Sequence, residues 1–126
     1  MQPGMPQGFG TIGEDSTPIF TLPGNPVSAY VSFQIFVLTA LGALQGQPDR
    51  QLPSVQATVT GPLRSPPGRR SYLRGVLNRA DGTVAPLSGQ GSHQVATLGR
   101  ANALIVVPEW AVHMKEGDDV EVLCLP

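Results

Sequence analysis

Cysteine, charge and histidine are all scarce in this 126-residue chain, which holds one Cys, two His and only 13% charged residues. A lone Cys124 can close no internal disulfide and can build no thiolate metal site. Within "VEVLCLP" it is expected to be a buried strand thiol, kept in a reducing compartment, the cytoplasm. His93 and His113 have no Cys or second His at ligand spacing, so no metal site is expected from protein ligands. A formal net charge of −1 provides no global field towards nucleic acid or an anionic membrane. The acids Glu14, Asp15, Glu116, Asp118 and Asp119 all fall in expected turns. None has the apolar setting of a tuned general acid, so if the chain serves an enzyme, the acidic machinery lies elsewhere. The first ten residues lack a basic segment and an apolar segment, so no signal peptide is expected.

No charged residue occurs from Ser16 to Pro48. Residues 26–44 therefore approach the length of a membrane span. Ser28, Ser32, Gln34 and Thr39 interrupt the run, no Lys or Arg flanks it closely, and no aromatic belt marks both ends. A helix buried in a larger soluble protein is the preferred reading. Glycine and proline, in contrast, are plentiful, at 15 and 13. They are spread among apolar runs, which predicts turn-rich globular structure and not disorder. The length suits one domain, or a small domain plus a fragment.

The chain divides near residues 45–50, "QGQPDR". Before the break, "TPIFTL" reads as a buried strand over 17–22. "PGNP" is then a turn, with Asn25 as N-cap and Pro26 at the first helical position. A helix follows through Val27, Tyr30, Val31, Ile35, Leu38 and Leu41, ending near Gly46. The segment upstream, "MQPGMPQGFG", reads as a loop. After the break the pattern is β. "SVQATVTG" alternates, with Val55, Ala57 and Val59 on one face. "SYLRGVLNRADGTVAPL" is a hairpin turning at Asp81-Gly82. "ANALIVVPE" and "GDDVEVLCLP" each supply a strand, and the set suggests a small barrel or sandwich. One strand and one uncharged helix cannot bury their own surfaces. Residues 1–46 therefore read as the tail of a larger α/β domain, completed by upstream sequence or by a partner.

Three stretches can carry chemistry. A strand that turns tightly into a helix exposes unpaired N–H groups and the positive end of the helix dipole, an arrangement that binds phosphate and other oxyanions. Gly24 would let a ligand approach and Ser28 would add a hydroxyl, although the residues alone favour an ordinary capped βα turn. Arg64, Arg69, Arg70, Arg74 and Arg79 crowd one 16-residue window. They read first as a solvated hairpin face, second as guanidinium forks for an anion, and only weakly as a nucleic-acid surface. "SGQGSHQ" carries Ser92 and His93 but fails the nucleophile-elbow spacing. It reads equally as a ligand-binding loop or a plain turn.

The order "QPGMPQGFG … FTLPGNPVSAYVSF … GRRSYLRGVL … LSGQGSH" resembles the molybdopterin molybdenumtransferase family, enzymes related to the C-terminal domain of gephyrin. The resemblance covers essentially the whole chain, and "LPGNPVSA" is its most specific part. It implies an α+β chain: residues 1–46 as the C-terminal strand and helix of an α/β molybdopterin-binding domain, and residues 47–126 as a small all-β barrel. It also implies insertion of molybdate into adenylylated molybdopterin with release of AMP, with Mg²⁺ held mainly by residues outside this chain. Pro23, Gly24, Asn25, Pro26 and Ser28 would line the site for molybdopterin phosphate or molybdate. Arg69, Arg74 and Ser92 match barrel positions that face the cleft, often across a homodimer. Two departures stand out. Relatives often carry lysines in the first loop, as "KPGKP", where this chain has Gln2 and Met5. The family's N-terminal domains and acidic motifs are also missing, so the chain is expected to be a fragment that is incomplete alone. A non-catalytic binding or scaffolding module and an inactive remnant are the alternative readings.

Overall fold

The computed structural model describes every residue except Ser92. The described residues form nine strands, one helical run with a π-helical turn inside it, and a short 3₁₀ turn at Val95–Thr97. Strand β1 (Gly8–Ile12) pairs antiparallel with β2 (Thr17–Thr21), Gly8 opposite Thr21 and Ile12 opposite Thr17. This corrects two expectations. Part of the segment read as a loop is a strand, and within this chain the strand expected to be buried is mostly exposed. The cause is local. Gly13 at φ 78° and Ser16 at φ 54° turn the chain back on itself, so β2 finds its partner across a four-residue turn and not in a larger sheet. Phe9 and Phe20, opposite each other in the register, meet in a tilted pair with ring centroids 4.9 Å apart and planes at 46°.

The helix runs over Pro26–Leu44, but it is not regular. It comprises α1 (Pro26–Ser32), a π-helical turn (Phe33–Val37) and α2 (Leu38–Leu44). Val27 and Val31, one helical turn apart, are fully buried against Leu104 of the barrel, with Tyr72, Leu123 and Leu125 packed around them. One face of this helix thus has its cover within the chain.

The second half forms a closed barrel in the order β3-β6-β5-β7-β9. Its strands are β3 (Ser54–Val59), β5 (Ser71–Asn78), β6 (Thr83–Pro86), β7 (Ala103–Val107) and β9 (Asp119–Cys124). A short ribbon of β4 (Leu63–Arg64) and β8 (His113–Met114) flanks it. The ladder is antiparallel except where β3 meets β6 in parallel, and that pairing closes the ring. The expected alternation of β3 is borne out: Ala57 and Val59 are buried and Val55 packs against the same cluster. Strand β9 alternates likewise, placing Val120, Val122 and Cys124 inside. Every residue of β7 is buried, which explains its unbroken apolar run. The Asp81-Gly82 turn joins β5 to β6 as expected, with Gly82 at φ 68°. Inside the ring there is no spare room at Gly75. A Cβ there would sit 2.9 Å from Ile105 Cδ1 and 3.0 Å from Val84 Cγ2.

Candidate functional site

Strand β2 ends beside the turn that the sequence singled out. Asn25 adopts φ −71° and ψ 128°, and its Oδ1 accepts from the backbone N–H of Val27 at 3.1 Å and of Ser28 at 3.5 Å. Pro26 has no N–H to offer. The helix start therefore exposes fewer free donors than expected, because its cap occupies the first two. What remains for a ligand is the dipole's positive end and the Ser28 hydroxyl, which makes no hydrogen bond among the described residues.

Pro23, Gly24, Asn25 and Ser28 line one cleft of about 550 Å³, together with Met5, Pro6 and Gln7 from the first loop. Pro26 sits in the first turn and is not part of the lining. Every lining residue is uncharged, Met5 included. Gly24 has open space where a Cβ would stand and needs no positive φ, so it serves access and not backbone freedom. The sequence pointed to the turn, but not to Gln7 as part of the same lining. The proline-glycine composition of the first loop hid that contact.

The barrel arginines go elsewhere. Arg74 is 1% exposed. Its Nη2 donates to the Gly89 carbonyl at 2.7 Å and to the Gly91 carbonyl at 3.2 Å, while Nε finds no partner. No carboxylate meets this guanidinium, and burial pulls it below the ordinary arginine value. The same loop returns the contact. Gln90 Oε1 accepts from the Arg74 N–H at 2.9 Å, and its Nε2 donates to the Arg74 and Leu87 carbonyls at 2.8 and 2.7 Å. Arg74 and Gln90 thus clamp the 88–91 stretch to β5. The sequence singled out Arg74 but not Gln90, whose role appears only when the loop lies along the strand. Ser92 lies outside the described residues, and the neighbouring His93 is exposed. Arg69 is exposed, and Arg70 pairs with Glu121 at 3.4 Å. Neither Arg69 nor Arg74 joins the lining of the Pro23–Ser28 cleft. The window of five arginines therefore does not build one patch. Among the described residues no three His, Cys, Asp or Glu side chains converge.

A family model described as the MoeA C-terminal region (domain IV) matches residues 56–125. The chain is 43% identical over 122 residues to molybdopterin molybdenumtransferase 2 of Mycobacterium tuberculosis, covering 97% of this chain and 30% of that protein. It is 30% identical over 149 residues to gephyrin of Dictyostelium discoideum, covering 99% of this chain and 21% of gephyrin. Among solved structures, a molybdenum cofactor biosynthesis protein from Pyrococcus furiosus superposes with a TM-score of 0.81 at 30% identity, over 98% of this chain and 42% of that one.

Proposed function

The chain belongs to the MoeA C-terminal region (domain IV) family, and from that premise we propose that it is the C-terminal part of a cytoplasmic transferase. That transferase inserts molybdate into adenylylated molybdopterin and releases AMP. The division is an end piece of the molybdopterin-binding domain, residues 1–46, followed by the barrel, residues 47–126. The observation that carries the reading is the neutral cleft of about 550 Å³ at the start of the helix. There the Ser28 hydroxyl and the helix dipole favour an oxyanion, and Gly24 leaves room for it.

In this reading the cleft binds a phosphate or molybdate oxygen and holds it in one orientation. Met5 and Gln2 stand where relatives often have lysines, so positive charge must come from beyond this chain's cleft. A homodimer supplies it: the exposed Arg69 and the loop around Ser92 reach the cleft of the partner copy. The contacts of Arg74 support a positioning role, fixing that loop while the loop meets the ligand. In this reading the Mg²⁺ of the reaction would be held mainly by residues outside this chain, and no step is assigned to the ion.

The test is a chimera in which this chain replaces the matching 30% of the mycobacterial relative. Ser28→Ala removes one hydrogen bond to a charged group, which is worth about 1.5–3 kcal/mol, so molybdopterin binding and molybdenum insertion should fall by about tenfold or more. Gly24→Val fills the ligand's space and should cost more. Because no described residue other than its two chain neighbours comes within 4 Å of that Cβ position, the variant should still fold normally. Insertion at the unmodified rate by a folded Gly24→Val chimera would reduce the turn to a structural connection.

A further inference from the structure

The first loop leads into the β1–β2 hairpin, but it is tied to the barrel. Strand β6 is short and pairs with β5 only over residues 75–78, which leaves the same edge of β5 open at 70–74. Gln2 takes up that edge as an isolated parallel bridge to Ser71. Its N–H donates to the Arg70 carbonyl at 2.9 Å, and its carbonyl accepts from the Tyr72 N–H at 2.8 Å. Arg74, two residues on, turns its N–H to the same edge, where Gln90 Oε1 accepts it at 2.9 Å. One strand edge therefore carries two attachments, the first loop and the 88–91 stretch. The loop has a second anchor on the helix. Pro3 and Gly4 are buried, whereas Met5, Pro6 and Gln7 are exposed. Gly4 adopts φ 124°, and a Cβ there would meet Met1 Cε and stand 2.9 Å from Oγ of the fully buried Ser32. None of Gln2, Pro3 and Gly4 lines the cleft, while the next three residues all do.

A buried, hydrogen-bonded segment followed at once by exposed cleft residues is an arrangement for holding those residues in place. A loop free to move would lose that freedom when a ligand bound, and the loss would weaken binding. We propose that Gln2 and Gly4 are positioning residues. By joining β5 and the helix they fix Met5, Pro6 and Gln7 beside the Pro23–Ser28 turn and so set the width of the cleft. This inference rests on the oxyanion reading of that cleft. It gives the barrel a part in binding within its own chain, separate from any loop offered to a partner copy. The segment touches no ligand itself and acts through the three residues that follow it.

The test uses the chimera with the mycobacterial relative, with molybdate and molybdopterin as the probes. Gly4→Ala forces a Cβ into filled space at a positive φ. It should weaken binding of both probes by at least about tenfold, because a misplacement of about 1 Å can cost about a hundredfold. Gln2→Pro removes only the N–H given to Arg70. The position is already extended, as a strand bridge before a proline requires, so the ring is tolerated. Its binding should be about threefold weaker than that of Gln2→Ala, which keeps the N–H. Amide exchange separates positioning from stability. In Gly4→Ala the Met5 and Gln7 N–H groups should exchange faster, while those of β7 keep their protection. A folded Gly4→Ala chimera that binds both probes at the unmodified affinity would overturn the proposal, as would equal binding by Gln2→Pro and Gln2→Ala. Should Gly4→Ala not fold, the Gln2 pair decides. Gly24→Val tells the two readings apart. Weak binding by Gly24→Val beside unmodified binding by Gly4→Ala removes only the positioning role, whereas unmodified binding by both removes the cleft reading with it.

Discussion

Ile105 and Phe36 are both large apolar side chains, yet Ile105 is 0% exposed inside the barrel while Phe36 is 39% exposed on the helix. The same contrast runs through the two halves. The barrel closes on itself and buries a single cluster that includes Val59, Leu77, Val84, Ile105 and Val122. The hairpin and helix leave Phe9, Ile12, Phe36 and Leu44 exposed, and Phe9 and Phe36 line an apolar groove of about 560 Å³ between the hairpin and the helix. A closed ring satisfies its strand edges and its interior at once. A hairpin and one helix can cover only what they touch, which here is the barrel surface under Val27 and Val31. The chain spans 30% of the length of the mycobacterial relative, and cover for the outer face is expected from the remainder of such a protein.

Truncating the two side chains in parallel tests the contrast most severely. Ile105→Ala should destabilise the chain by about 2–5 kcal/mol, because it opens a cavity in a filled ring. Phe36→Ala should change stability by no more than about 0.5 kcal/mol. It should also reduce binding of a hydrophobic dye by this chain. Urea denaturation of both variants measures the difference. A Phe36→Ala loss as large as that of Ile105→Ala would mean that the helix's outer face is already packed.

Composition made the barrel legible and the first half only partly so. Period-two alternation in "SVQATVT" and "DDVEVLC" names the inward residues directly, since a strand with one buried face has no other register. The Asn25-Pro26 helix start was equally readable, being local chemistry. Three features were not. The β1–β2 hairpin was hidden by glycines at 8 and 10, which read as loop. The π-turn at Phe33–Val37 leaves no mark in an uncharged apolar run. The burial of Val27 and Val31 on Leu104 is a contact across some seventy-five residues that no local pattern encodes. This last point also refines the view of the helix as wholly orphaned. A segment lacking residues 1–48 would expose Leu104, so it should still unfold cooperatively but bind dye at that face. At the site, the turn was legible from Pro23 to Ser28, while the first-loop part of its lining and the Gln90 clamp required the folded chain.

The barrel's own loop gives the next effect in size. Gln90→Ala removes the acceptor of the Arg74 N–H and the donor to two carbonyls. The Arg74 carbonyl keeps its bond from the Leu87 N–H at 3.0 Å, so the main loss is one stranded N–H. The cost should be about 1–3 kcal/mol, read by denaturation, with faster amide exchange across 88–91. Unchanged exchange there would show that the clamp does not hold the loop. In the first half, Asn25→Ala should cost about 1 kcal/mol through loss of the cap. A cost near that of Ile105→Ala would contradict the view that this half is only loosely committed to the fold.

The smallest effect lies on the seam between the halves. Tyr72 packs against the Val27–Val31–Leu104 cluster, and burial raises its phenol above the ordinary value of 10.0. The neighbouring Arg70 opposes that shift, and Glu121 and Glu109 add to it. A raised acid pKa means that the unfolded chain ionises first as pH climbs past 10.0, while the folded chain still holds its proton. Stability from this group is therefore intact below pH 10.0 and declines above it. The phenolate absorbance lost in Tyr72→Phe should titrate with a midpoint above 10.0. Val31→Asn, which loosens the helix from the barrel, should bring that midpoint down, because water then reaches the ring. A Tyr72 midpoint that ignores Val31→Asn would mean that the helix does not desolvate the barrel face, and the two halves would be independent where the structure has them sharing a core.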